Sequence, residues 1–411
     1  MASVKSRIDL SRLLVSLAAA VGMLTVVVPV AGATSGASCR VTNLTTGVVY
    51  TGSGHNLQTA ISAASGGTSL RIRGLCVGNY TIGKSLKLFG FATAAYPVPS
   101  LDGDAAGTVL TVGAGSVLLR DLKITNGAAG PHGSGGGIFN AGILTLEASS
   151  LVSGNRARFG GGIYNADILH MDGASRVSGN TATVDGGGIY GNGITTMNGH
   201  SKVAKNSAGV EGGGIFSPGG IIMSGHSSVL GNKTESASGG GIWSSGTIEM
   251  HNSSSVSGNT ATVGGSSGGG IHLNEGTLEM DNFSSVSGNR AAGDGGGISS
   301  CCNTITLNGS SSVWGNKAGA DGGGIDNLGG LTLNGSSSVK GNKATVSGGG
   351  IYNYFSGAPS ILTMNDWSSV SGNTATVAGG GIYNDVNATL NGAVDGVSVV
   401  SNVPDNIFQA V

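Results

Sequence analysis

Gly160-Gly161-Gly162-Ile163-Tyr164 and, later in the same stretch, Val177-Ser178-Gly179-Asn180 are the two halves of one unit, and that unit recurs along the chain. Its isoleucine falls at Ile138, Ile163, Ile189, Ile215, Ile242, Ile271, Ile298, Ile325, Ile351 and Ile382. A closing asparagine follows each, at Asn155, Asn180, Asn206, Asn232, Asn259, Asn289, Asn316, Asn342, Asn373 and Asn402. Subtracting neighbouring isoleucine positions gives steps of 25 to 31 residues. A period of that size marks a solenoid, in which each unit packs only on its neighbours, so a length of 411 residues does not imply several domains.

Inside the unit, apolar residues alternate with polar ones: Leu144-Thr145-Leu146, Ile248-Glu249-Met250, Ile305-Thr306-Leu307, Leu362-Thr363-Met364. A period of two is that of a strand. A third segment carries one valine per unit, from Val152, Val177 and Val203 through Val256 to Val370. Three short strands per unit, headed by Gly-Ile, Leu-x-Leu/Met and Ser-x-Val, predict one coil of a three-sided solenoid. Coils stacked about 4.8 Å apart place like residue over like. Met171, Met197, Met223, Met250, Met280 and Met364 then share one column with Leu146, Leu307, Leu333 and Leu390, which reads as core. The asparagine suits a corner, where its amide can bond to the asparagines above and below. The glycine runs suit corners in which a Cβ would strike the next coil. A phosphate-cradling loop would need one glycine turn opening a helix, not ten preceding strands.

Composition narrows the setting. Glycine is 79 of 411 residues, yet proline is only 7 and there is no Gly-X-Y period, which excludes collagen. Charged residues are 10% with a net charge of -1, so no basic field is present to gather nucleic acid or anionic lipid. Lys5, Arg7 and Arg12 precede an apolar run from Leu13 to Val28, followed by Ala31-Gly32-Ala33. This pattern predicts a signal peptide over 1–33, with an uncleaved anchor as the alternative, and no membrane span after cleavage. The mature chain is then expected outside the cell, secreted or associated with its surface. Residues 34–130 lack the repeat and read as an N-terminal cap with irregular first coils, beginning with a short amphipathic helix over Leu57 to Ala64. Residues 131–403 hold the ten copies, and 404–411 close the C-terminal end. Cys39 and Cys76 are a candidate disulfide, whereas the adjacent Cys301 and Cys302 read either as a vicinal disulfide or as two packed thiols.

The Gly-Gly-Gly-Ile and Val-x-x-Asn elements, for instance Gly161-Gly162 before Ile163 and Val177 to Asn180, resemble the Gly-Gly-Ala-Ile and Phe-x-x-Asn units of bacterial parallel β-helix proteins of the pectin-lyase-like superfamily. The likeness is strongest to those with polymorphic outer-membrane protein repeats, and it covers about residues 130 to 402. It implies an all-β fold, a right-handed single-stranded parallel β-helix of about 13 coils with a short capping helix, and the crossover rule for parallel strands implies the same hand. Chlamydial members continue into an outer-membrane barrel. Here the sequence stops just after its last repeat, and the expectation is release or loose surface attachment.

The outward column after each isoleucine holds Phe139, Tyr164, Tyr190, Phe216 and Trp243, then His272, and later Tyr352 and Tyr383. Such an aromatic ladder either stabilises the coils by stacking or offers a platform for the rings of an extended glycan. Glu249 and Glu279 share another outward column on neighbouring coils, near the roughly 5 Å separation of a retaining glycosidase pair, although two solvated glutamates are the ordinary outcome there. His200 and His226 stack similarly and could ligate zinc or copper or merely coincide, while Asp185, Glu211, Asp294 and Asp321 precede glycine runs without the dense ligand set calcium needs. No metal or cofactor is expected. The expected function is a secreted or cell-surface, non-catalytic β-helix scaffold, adhesin-like or glycan-binding, whose partners are extracellular polysaccharide or envelope components. The alternative is a polysaccharide lyase or glycoside hydrolase of that superfamily.

Overall fold

A computed structural model describes residues 39–52, 55–355, 360–392 and 398–411; the signal segment predicted over 1–33 lies outside them. Residues 37–411 form one compact unit. The entry strand Cys39–Asn43 pairs antiparallel with Val49–Gly52 and with Ser69–Arg73, and from there on neighbouring strands pair in parallel. One short helix, Asn56–Ala63, buries Leu57, Ala60 and Ile61 against this end of the core, as its amphipathic pattern predicts. A disulfide between Cys39 and Cys76 ties the entry strand to Leu75–Val77. Among the described residues no helix is long and apolar enough to cross a membrane.

The molecule is a parallel β-solenoid of about 12 turns. Strands of the Gly-Ile and Leu-x-Leu/Met types join in one 26-stranded sheet, and the valine strands stack as a 13-stranded sheet whose first three members, Leu75–Val77, Ser100–Asp102 and Lys123–Thr125, precede the repeats. The irregular entry coils therefore continue into the repeats without a break in that ladder. The methionine column is in register from Leu146 through Met171, Met223 and Met280 to Met364, all buried. Leu390 departs from the expected column, because it pairs with Leu362 and not with Met364.

The cross-section also differs from the three-sided expectation. A fourth ladder of two-residue strands follows the corner asparagine, as in Thr181–Ala182, Ser207–Ala208, Thr260–Ala261 and Lys317–Ala318, with each alanine buried. Two residues are too few to display a period, so the alternation that reveals the other strands is absent here.

Valine, asparagine and glycine of one coil meet in its interior. A Cβ placed on Gly241 would lie 2.6 Å from the carbonyl oxygen of Gly270 on the next coil and 2.8 Å from Nδ2 of Asn259 on its own. The glycine thus admits both the next coil's backbone and the asparagine amide. Gly258 differs: it has φ +62° but open space around its missing side chain. We expect Gly258→Ala to cost about 1 kcal/mol, from left-handed strain alone. Gly241→Ala should cost several-fold more, since the next coil's backbone and the Asn259 amide must both shift. Chemical denaturation of the two variants checks this, and equal losses would refute the close-approach argument.

Candidate functional site

The residue after each isoleucine stands in one register column through the whole repeat. Phe139 stacks on Tyr164 (ring centroids 5.2 Å apart, planes at 4°), Tyr164 on Tyr190 (5.1 Å, 7°), Tyr190 on Phe216 (4.8 Å, 21°) and Phe216 on Trp243 (4.4 Å, 8°). The sequence-predicted ladder is therefore assembled, with ring faces against one another and ring edges turned outward. Asn192 donates through Nδ2 to the Tyr164 hydroxyl at 2.9 Å. Exposure along the ladder is partial, and Phe216 retains only 8%. The glycine corner lies alongside: a Cβ on Gly239 would come within 2.8 Å of the Trp243 Cβ. Tyr352, Tyr383 and Phe408 form a second stack farther on, at 4.9 and 5.2 Å.

Between the stacks the column holds His272, Ser299 and Asp326. Asp326 is buried, and Ser299 Oγ donates to its Oδ2 at 3.2 Å. Burial pushes this carboxyl well above the usual range, the charges of Asp294 and Asp321 add to the effect, and the Ser299 hydrogen bond opposes it. His272 is pulled down to about 4 by burial, and its Nδ1 has no hydrogen-bond partner among the described residues.

The acidic corners form two stacked sets. Asp185 Oδ1 accepts from the Glu211 N–H at 3.0 Å; Asp294 Oδ1 accepts from the Asp321 N–H at 2.9 Å, and Asp321 Oδ1 from the Ser347 N–H at 2.7 Å. These carboxylates satisfy backbone donors of the following coil. Glu211 is pushed up to about 7, by burial first and by Asp185 second.

Glu249 and Glu279 are brought side by side in register. Both are held in a surface network: Glu249 Oε2 lies 3.3 Å from His251 Nε2, His251 Nδ1 lies 3.1 Å from Asp281 Oδ2, and Asn308 Nδ2 donates to Glu279 at 3.2 Å and to Asp281 at 2.9 Å. Two open depressions, of about 360 and 400 Å³, lie elsewhere, lined by residues such as Pro131 and Arg156 in one and Phe91, Val98 and Leu151 in the other. The glutamates thus sit on an open flank, away from both depressions. His200 and His226 stack at 5.1 Å, and among the described residues no group of three or more His, Cys, Asp or Glu could hold a metal ion.

Sequence reading overlooked a different set of aromatics. Trp367 is 86% exposed, Phe283 70% and Trp314 47%. Phe283, Ser310, Ser336 and Trp367 share one turn column, each donating its backbone N–H to the coil before. Three coil steps put Phe283 and Trp367 about 14 Å apart. Trp314 lies on the neighbouring valine ladder, between Ser287 and Lys340. Phe283 and Trp367 follow His200 and His226 in that column, but with serines on the coils between them they form no continuous run of rings in the sequence.

Glu211 and His272 bend the pH dependence of stability in opposite directions. The folded chain holds the Glu211 proton up to about 7 whereas the unfolded chain releases it near 4.5, so this contribution is lost as pH rises through that window. The unfolded chain protonates His272 near 6.5 whereas the folded one resists to about 4, so its contribution is lost as pH falls between those values. In thermal melts from pH 4 to 7.5, Glu211→Gln should improve relative stability at the upper end, and His272→Phe at the lower end. Parallel profiles for wild type and both variants would contradict these assignments.

The Chlamydia polymorphic membrane protein (Chlamydia_PMP) repeat family matches residues 175–192 and 368–385. Each match runs from the valine strand through the corner asparagine and Gly-Gly-Gly-Ile to two residues past the following tyrosine, Tyr190 or Tyr383. No curated protein and no solved structure matches the chain. The protein is a parallel β-solenoid repeat protein whose coils resemble the Chlamydia polymorphic membrane protein repeat.

Proposed function

We propose that this chain is a non-catalytic, right-handed β-solenoid scaffold at the bacterial cell surface that holds extracellular glycan or neighbouring envelope material along its flank. The surface assignment rests on the matched repeat, whose family is one of membrane proteins. A Cys39–Cys76 disulfide is in keeping with an oxidising compartment. The crossover rule for parallel strands supports the hand.

The observation that carries the binding half is the set of solvent-facing aromatics on a surface poor in charge. Sugar rings pack on aromatic faces, and the free faces belong to Trp314, Trp367 and Phe283. In the ladder of Phe139, Tyr164, Tyr190, Phe216 and Trp243 the faces are occupied by neighbouring rings, leaving edges and tyrosine hydroxyls for a polymer lying across the coils. The enzyme reading has a narrower basis, the in-register Glu249 and Glu279 beside His251.

Purified protein incubated with a panel of extracellular polysaccharides, read for both retention and product release, separates the two. Retention without product is expected. The double variant Trp314→Ala/Trp367→Ala should weaken retention at least tenfold, with a smaller effect from Tyr164→Ala/Tyr190→Ala/Trp243→Ala, about 1.4 kcal/mol corresponding to each factor of ten. Retention by neither wild type nor variants would sink the glycan reading. Product release abolished by Glu249→Gln or Glu279→Gln would replace the scaffold with an enzyme.

A further inference from the structure

Cys301 and Cys302 lie where the repeat is most irregular. Their strand, Ile298–Leu307, runs ten residues without a break, and its pairing with the next coil slips between Cys301 and Thr304. The slip is a bulge, and bulges re-aim side chains. Cys302 adopts φ +61°, a left-handed conformation that a residue with a Cβ takes only at some cost. The outcome is that both thiols are exposed and their sulfurs lie 3.6 Å apart.

We propose that Cys301 and Cys302 form a surface dithiol that closes to a vicinal disulfide by exchange with an external disulfide. One cysteine thiolate attacks a sulfur of the external R–S–S–R, forming a mixed disulfide and expelling one R–S⁻. The neighbouring thiolate then attacks the protein sulfur of that mixed disulfide and expels the second. Two electrons pass from the cysteine sulfurs to the external disulfide, and the two protons the cysteines give up leave on the two R–SH molecules formed. Closure requires the sulfurs to approach by about 1.5 Å, to the roughly 2.05 Å of an S–S bond. Exposure leaves the side chains room to turn.

The pair contrasts with Cys39 and Cys76, whose disulfide is buried in the core. A buried cross-link resists exchange, whereas an exposed and constrained one is the labile kind. One chain thus carries a permanent staple at its entry and an exchangeable couple on its flank. Closing the couple fixes the bulge covalently; opening it presents two adjacent thiols.

Trypsin isolates the site, since cleavage after Arg290 and Lys317 yields a peptide, 291–317, in which these are the two cysteines. The full-length protein is equilibrated with glutathione buffers of rising oxidised fraction, alkylated under denaturing acid quench, digested and weighed. The doubly alkylated peptide should vanish and be replaced, at both sulfurs together, by an unalkylated peptide two hydrogens lighter than the dithiol. Cys302→Ser removes the closing thiol, and its peptide should instead retain one glutathione on Cys301. Wild-type peptide that stays doubly alkylatable, or that accumulates one or two glutathiones without closing, overturns the proposal.

Discussion

Each corner asparagine ties three coils together, and the rest of the cross-section is arranged around it. Asn259 Nδ2 donates to the carbonyl of Val229 on the coil before and to Asn289 Oδ1 on the coil after, each at 3.0 Å, while its own Oδ1 accepts from the backbone and side-chain amides of Asn232. The same pattern recurs from Asn180 to Asn373. These groups are buried, so a coil without the asparagine would strand a carbonyl and at least one N–H away from water. A made hydrogen bond contributes about 1 kcal/mol net, but an orphaned buried group costs about 1–3 kcal/mol. The penalty for omission exceeds the gain from inclusion, which accounts for an asparagine in all ten copies. The third glycine of each run follows from it, because the amide occupies the space a Cβ would need.

How much of this was legible follows from the length and regularity of each element. The Gly-Ile, Leu-x-Leu/Met and valine strands announce themselves by alternation, and parallel stacking turns the sequence period directly into columns such as Met171–Met197–Met223. The alanine ladder was invisible because two residues carry no alternation. Leu390 was assigned to the wrong inward position because Thr389-Leu390-Asn391 has one apolar residue where other coils have two, and one residue cannot show which of two slots it fills.

The candidate site was legible as a column but not as a surface. That Phe139, Tyr164, Tyr190, Phe216 and Trp243 would stack follows from the repeat. Their partial burial does not, since it depends on how closely the glycine corner folds beside them, a tertiary relation that leaves Phe216 and Asp326 almost covered. Conversely, Phe283 and Trp367 stand in a turn column shared with Ala174, His200, His226, Ser253, Ser310 and Ser336. Nothing in the repeat requires a ring there. Ring stacking accounts for the ladder, whereas the almost fully exposed Trp367 makes no such stack among the described residues.

The gap in the aromatic ladder shows how a solenoid absorbs a local change. Ser299 and Asp326 forfeit ring stacking on two successive coils, worth about 0.5–1.5 kcal/mol per pair beyond burial. On those same coils the corner straightens: Ile298–Leu307 and Ile325–Leu333 are continuous strands where other coils break into two. Extra backbone pairing, including Cys301 opposite Leu328, and the Ser299–Asp326 hydrogen bond take over part of the cohesion that the rings supply elsewhere. Because each coil contacts only its neighbours, that exchange is confined to the coils involved, and the stacks on either side keep their geometry. Chemistry foreign to the repeat, such as a buried carboxyl beside two exposed thiols, can therefore be accommodated at one point of the flank while the asparagine corner beneath it continues unchanged.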